Sequence, residues 1–279
     1  MTVGDERRVG DERRVGKDGD VLFTVRDVCL RLGAQTVLHE VAFDIHDRVR
    51  PNIVTGQIVA LLGPSGVGKT RLLRIIAGLD EPDRGTVCGP GGKPLVAGEV
   101  GVVFQDYPLL RHRTLIDNLI VAGVINGMRL AAAKKRGLEL LERFGLGGRA
   151  SHYPAQLSGG QRQRVAIAQQ IICPKQLLLF DEPFSGLDPQ ALEDVIRLLV
   201  QVANMDELTT LVIVTHDVWA ALVACDTIML LGRTPGQPGA RIVESYDLVA
   251  RNLAWREHVE REPEFMKLEQ EIRARFRTL

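Results

Sequence analysis

The sequence predicts an α/β fold built on a mainly parallel sheet, and three observations carry that prediction. A short apolar run at residues 58–62 and bare apolar runs at 177–180 and 211–214 read as strands, the latter two buried on both faces. Stretches with helical patterning lie between them, the alternation expected when helices cover both sides of a sheet. The first apolar run leads through a glycine-rich loop into a helix, the opening of a phosphate-binding α/β unit.

In order along the chain, residues 1–20 hold a six-residue repeat. Val3-Gly4-Asp5-Glu6-Arg7-Arg8 recurs at once as Val9-Gly10-Asp11-Glu12-Arg13-Arg14. Two copies are too few for a solenoid, and the segment is charged with little to bury, so it reads as a disordered tail. Residues 21–25 and 37–45 are rich in β-branched and apolar types and read as strands. Residues 47–52 are polar, contain Pro51 and read as a hairpin loop, longer than usual through Thr55. After the strand at 58–62, residues 71–79 read as a helix. A strand at 100–104 follows, then a largely helical region at 115–144 that stops at the glycines of 145–148. Helices at 161–172 and 187–203 flank the strand at 177–180. A last helix ends near Leu279.

Composition removes several function classes. The chain is 45% hydrophobic and 25% charged, an ordinary globular balance that argues against wholesale disorder. Its 35 Lys and Arg cancel its 35 Asp and Glu, so no uniformly basic nucleic-acid surface is expected. The four cysteines, Cys29, Cys88, Cys173 and Cys225, lie far apart. They read as buried small hydrophobes in a reducing compartment, not as a zinc ribbon or a disulfide framework. No apolar run reaches the ~18 residues of a membrane span. No secretory leader pattern is visible, so any membrane role is expected to run through a partner.

Gly63-Pro64-Ser65-Gly66-Val67-Gly68-Lys69-Thr70 fills every fixed position of the G-x-x-x-x-G-K-[ST] phosphate loop. The glycines let backbone N–H groups close round an anion at the following helix N-terminus. Lys69 can then reach β- and γ-phosphates, and the Thr70 hydroxyl can ligate Mg²⁺. The strand at 177–180 ends in Asp181-Glu182, placed at the carboxyl edge where open α/β sheets bind ligands. Asp181 is expected to hold Mg²⁺ through a water, and Glu182 to act as general base on the attacking water.

The run Leu157-Ser158-Gly159-Gly160-Gln161 resembles the signature motif of ATP-binding-cassette ATPases. The other cassette parts occur in order: Gln105 resembles the Q-loop glutamine, Ser185-Gly186-Leu187-Asp188 the D-loop, and Val214-Thr215-His216-Asp217 the switch region. The resemblance covers about residues 21–232. It implies a P-loop NTPase cassette with an antiparallel β-subdomain and a helical signature subdomain at about 106–172. It also implies an ATPase domain at 21–235 with a C-terminal extension at 236–279. ATP and Mg²⁺ are the implied cofactors, with Thr70, Gln105 and Asp181 at the metal. Glu182, His216 and Gln105 are the implied catalytic set. His216 is expected to contact the γ-phosphate and steady Glu182. Ser158, Gly159, Gly160, Gln161 and Asp188 are implied to act on nucleotide held by a second subunit.

The chain departs from the cassette pattern in places. No aromatic residue stands between Leu30 and Glu40, where one usually stacks on adenine. Thr70 is followed by Arg71, Gln169 replaces a frequent arginine, and Trp219 or Ala220 a frequent glutamate. None of these changes removes a catalytic group.

The resemblance implies a head-to-tail dimer, transmembrane permease subunits, a solute-binding protein reached indirectly, no nucleic acid, and a peripheral position on the cytoplasmic face of the inner membrane. Tyr107, Pro108, Leu109 and Leu110 form an apolar patch after Gln105 that is expected to line a groove for the membrane partner. The layout around Arg261-Glu262-Pro263-Glu264-Phe265 resembles importers of nitrate, sulfonate, taurine or bicarbonate. A lipid or lipoprotein transport system is the alternative, with a soluble non-transport cassette protein behind it.

Overall fold

A computed structural model describes residues 20–47, 56–173, 175–205, 209–256 and 258–279. The repeat-bearing tail and most of the expected loop at 47–55 lie outside the described residues. One sheet organises the rest. Its nine strands are β1 (Val21–Leu32), β2 (Gln35–His46), β3 (Gln57–Leu62), β4 (Arg84–Cys88), β5 (Gly101–Val103), β6 (Leu177–Asp181), β7 (Thr210–Thr215), β8 (Thr227–Arg233) and β9 (Ala240–Asp247). They lie in the order β4-β1-β2-β9-β8-β3-β7-β6-β5. From β8 to β5 every neighbour is parallel. The β4-β1-β2 edge is antiparallel, as is β9 on β8. The sheet is therefore mixed, with a parallel core and an antiparallel wing.

The bare apolar runs behave as strands buried on both sides should. On β3, Ile58, Ala60 and Leu62 face one core cluster while Val59 and Leu61 face another. Leu178 and Phe180 part from Leu177 and Leu179 in the same way on β6, as do Leu211 and Ile213 from Val212 and Val214 on β7. The first cluster is closed by α2 (Leu115–Ile125), α3 (Leu130–Arg143), α4 (Gly159–Ile171), α5 (Pro189–Ala203), α6 (Val218–Ala224) and α7 (Pro263–Phe276). The second is closed by α1 (Lys69–Ile76), through Leu72, Leu73, Ile75 and Ile76, and by the antiparallel wing.

Several elements differ from the sequence reading. The helical region expected over 115–144 is two helices, broken where Gly127 takes a left-handed φ of 88°. The helix expected from residue 187 starts at Pro189, because the Asp188 carboxylate accepts the Ala191 N–H and caps it. Strands β4 and β8 and helix α6 were not read from the sequence. β8 carries the continuous apolar run Ile228-Met229-Leu230-Leu231, which periodicity alone cannot assign to a strand. β9 falls within the segment set apart as a C-terminal extension, yet it pairs with β8 from Thr227↔Asp247 to Arg233↔Ala240. Of the four cysteines only Cys225 is buried; Cys29, Cys88 and Cys173 are partly exposed, so the all-buried expectation is corrected.

Candidate active site

The parallel order places three strand ends side by side. β7 lies between β3 and β6, with Leu62 level with Thr215 and Asp181 level with Val214. The phosphate loop therefore leaves β3 on one side of His216, and Asp181 and Glu182 leave β6 on the other. All three lie at the carboxyl edge of the sheet.

The loop's shape depends on two glycines. Gly68, which precedes α1, has φ 118°, and a Cβ there would stand 3.0 Å from Val37 Cγ1 and Leu38 Cδ2. A Cβ on Gly63 would stand 2.4 Å from the Leu231 carbonyl oxygen, so β8 presses directly on the start of the loop. No side chain caps α1, and its first turn carries no acidic residue. Its leading N–H groups and the positive end of its dipole are left for an anion.

Lys69 is 95% buried and donates to the Gly63 and Pro64 carbonyls at 2.8 and 3.0 Å. It also lies 3.3 Å from Glu182 Oε1. The other carboxylate oxygen, Oε2, meets His216 Nδ1 at 2.8 Å. Glu182 is thus held between a cation and an imidazole. Its backbone takes a left-handed φ of 49°, an unfavourable conformation for a residue with a Cβ and of the kind that gathers at functional sites. The Glu182 N–H donates to Val214 O, tying the turn to β7.

The Thr70 hydroxyl donates to Asp181 Oδ1 at 3.0 Å. Burial pushes the Asp181 carboxyl up from the usual aspartate range, the Thr70 hydrogen bond pulls it down, Glu182 pushes it up and Lys69 pulls it down, with a net rise. A buried carboxylate beside a hydroxyl supplies two hard oxygens. Among the described residues no three Asp, Glu, His or Cys side chains gather into a metal cage. Mg²⁺ suits such a pair, since it commonly takes one or two protein oxygens and fills its shell with phosphate and water.

These groups border a cleft of about 470 Å³. Ser65, Gly66, Gly68, Lys69, Thr70, Gln105, Glu182 and His216, drawn from separate sequence motifs, line it together. Gly63, Pro64, Val67 and Asp181 are not among the lining residues; the Gly63 and Pro64 carbonyls and Asp181 meet it through Lys69 and Thr70. Ser158, Gly159, Gly160, Gln161 and Asp188 are not among the lining residues. Ser158 caps α4 in a capping box, accepting the Gln161 N–H at 3.3 Å while Gln161 Oε1 accepts the Ser158 N–H at 3.1 Å. An added Cβ on Gly159 or Gly160 would meet nothing within 4 Å, so this turn faces open space. One link joins it to the site: buried Gln163 of α4 donates to the Pro183 carbonyl, one residue beyond Glu182.

The patch after Gln105 is divided. Tyr107 and Leu109 pack against the core, and burial raises the Tyr107 hydroxyl to about 12. Pro108 and Leu110 face outward. The Leu110 N–H donates to buried Asn118, whose amide in turn donates to the carbonyls of Leu110, Arg113 and Thr114. One side chain of α2 therefore shapes the loop that follows Gln105.

Sequence reasoning did not select Gln35, Val37 or Arg233, all of which line the cleft. Arg233 ends β8 and comes from a part of the chain distant from every motif. No local signal marks it.

A family model described as "ABC transporter" matches residues 46–185, half of the chain. A sulfate/thiosulfate import ATP-binding protein of Mycolicibacterium paratuberculosis is 41% identical over 82% of this chain and 62% of that relative. An L-cystine transport system ATP-binding protein of Escherichia coli is 38% identical over 78% of this chain and 90% of the relative. The chain spans between 54% and 63% of the sulfate/thiosulfate relatives. Among solved structures, a dimeric post-hydrolysis ATP-binding cassette bound to ADP and Pi matches with TM-score 0.65 and 29% identity, over 81% of this chain and 99% of the other. CbiO1 of Clostridium perfringens matches in fold with TM-score 0.70 at 24% identity, over 84% of this chain and 91% of the other.

Proposed function

The chain belongs to the ABC transporter family, and on that premise we propose that it binds and hydrolyses ATP as the motor subunit of an import system. The carrying observation is Glu182, held between Lys69 at 3.3 Å and His216 at 2.8 Å at the mouth of the phosphate loop.

The uncapped N-terminus of α1 and the loop N–H groups take the phosphates. Lys69, now satisfied by loop carbonyls and Glu182, exchanges those partners for phosphate oxygens. Its departure frees Glu182 Oε1 to accept a proton from water, while His216 keeps Oε2 oriented. Thr70 and Asp181 are the residues that would hold Mg²⁺, with Gln105 at the same cleft; bound there, the ion would supply charge neutralisation for the phosphates. Ser158 to Gln161 and Asp188 stand away from the cleft of their own chain, and we assign them to the nucleotide of a second copy packed head to tail. That a similar cassette is dimeric when bound to ADP and Pi supports the pairing of two copies.

Among the described residues no helix is long and apolar enough to cross a membrane. In this reading the chain sits on the membrane's cytoplasmic face through permease subunits, with the exposed Leu110 on the docking side and a solute-binding protein reached only through them. The relatives' names favour import of a small solute over the lipid alternative, and sulfate and thiosulfate favour an oxyanion. The finer nitrate, sulfonate, taurine or bicarbonate assignment rests on Glu262-Pro263-Glu264-Phe265. That segment has local duties: Pro263 starts α7, Phe265 is core, and Glu262 and Glu264 pair with Arg256 and Arg251.

The test is co-purification from gently solubilised native membranes with mass spectrometry. A permease and a solute-binding protein are expected, and the latter's ligand would name the substrate. Recovery with ribosomes or DNA instead would overturn the transport assignment.

A further inference from the structure

We propose that Arg233 supplies the planar face on which the nucleobase stacks, so that a guanidinium does the work of an aromatic ring. The inference rests on the nucleotide reading above and adds the part of the site that reading leaves unassigned.

With the phosphates on the loop from Ser65 to Thr70, the base must lie against what remains of the cleft wall. On the side away from Gln105, Glu182, Ser185 and His216, that wall consists of Leu32, Gln35 and Val37 from the β1–β2 hairpin and Arg233 from the end of β8, with Arg71 following the loop. The sheet brings these together. Arg233 pairs with Ala240 on β9, and Ala240 pairs with Leu38 on β2. Leu32 pairs with Gln35 at the hairpin's end.

A purine needs a flat, apolar-tolerant surface, and no Phe, Tyr or Trp of the described residues lines the cleft. Among the described residues, three side chains there carry an extended planar cation or ring. His216 is engaged with Glu182. The guanidinium of Arg71 bonds Asp80 at 3.2 Å. Arg233 is left: it is half-buried, its Nε is buried without a hydrogen-bond partner, and no carboxylate of the described residues pairs with it. Guanidinium planes stack on bases through dispersion and cation–π attraction, and Arg is weakly hydrated enough to do so at low cost. Leu32 is 48% exposed, an apolar surface that the base would cover from another side.

The experiment is calorimetric titration of the full chain with ATP and with inorganic tripolyphosphate, which has no base. For Arg233→Ala we expect ATP affinity to fall about tenfold, in line with the loss of one stacking contact, while tripolyphosphate affinity stays unchanged. Arg233→Trp should recover ATP binding, because it restores a plane without the charge. Arg233→Lys should not, because it restores the charge without the plane. Equal loss of both ligands in Arg233→Ala, rescue by Lys, or unchanged ATP affinity would each overturn the stacking role. Failure of the unmodified chain to bind either ligand would instead overturn the nucleotide reading itself. Unchanged tripolyphosphate binding also reports that the variant is folded.

Discussion

Two helices of this protein begin with glycine-rich turns suited to anions, and they are finished in opposite ways. α1 starts at Gly68 with no side-chain cap and no acid in its first turn. α4 starts at Ser158 with a complete capping box. The first leaves its N–H groups for a ligand that must come from outside. The second has already satisfied two of them and is stable as it stands. The cross-bracing differs too. Around α1, groups from three strand ends meet in Lys69, Glu182, His216, Thr70 and Asp181. Around Ser158 the capping bonds are local, and α4 reaches toward the site through the Gln163 bond to Pro183. The phosphate loop is a site within one chain. The signature turn is a finished surface that acquires a phosphate only when another chain presents one.

The largest effect expected from this contrast is on Glu182. Glu182→Gln keeps the shape and removes the base, so phosphate release should fall by roughly 10² to 10⁴ while ATP binding by calorimetry persists. Near-normal turnover would remove Glu182 from that role. Next comes Lys69→Ala, which deletes a charged donor from the uncapped helix start. A hydrogen bond to a charged group is worth about 1.5–3 kcal/mol, so ATP should bind roughly tenfold to a hundredfold more weakly. Unaltered affinity would mean that the phosphates lie elsewhere.

Ser158→Ala sharpens the contrast from the other side. Losing the cap should cost about 1 kcal/mol of stability in a denaturant titration. ATP affinity of the dilute single chain should not change, whereas hydrolysis at concentrations that favour pairing should fall. A change in single-chain affinity would place Ser158 in its own chain's site and end the contrast.

The smallest effect concerns the far end of α1. There Arg74 bonds Asp80 at 2.8 Å through both of its carboxylate oxygens, so this helix is tied at its C-terminal side and open at the other. The Arg74 hydrogen bond holds the Asp80 carboxyl below the ordinary aspartate value of 3.8. A depressed folded pKa stabilises above the unfolded value and is lost as pH falls through the folded one. Asp80→Asn should therefore lower the melting temperature slightly at pH 7, and the gap from the unmodified chain should close below pH 3.8. A gap that persists in acid would assign the effect to packing.

Features whose physics is local are legible in the sequence. The glycines of the phosphate loop shape their own turn, the carboxylates of Asp181 and Glu182 stand at the end of an apolar run, and Ser158 caps the helix that follows it. The bare apolar runs announce strands buried on both faces because neighbouring side chains point to opposite sides of a sheet.

Only the tertiary structure decided which strand ends become neighbours. Parallel strands join through long crossovers, so no local pattern states that β7 lies between β3 and β6. That order alone puts Glu182 within reach of both Lys69 and His216, neither of which is its neighbour in sequence. It also sets Leu231 on Gly63 and carries Arg233 to the β1–β2 hairpin, closing the cleft with a residue that belongs to no motif.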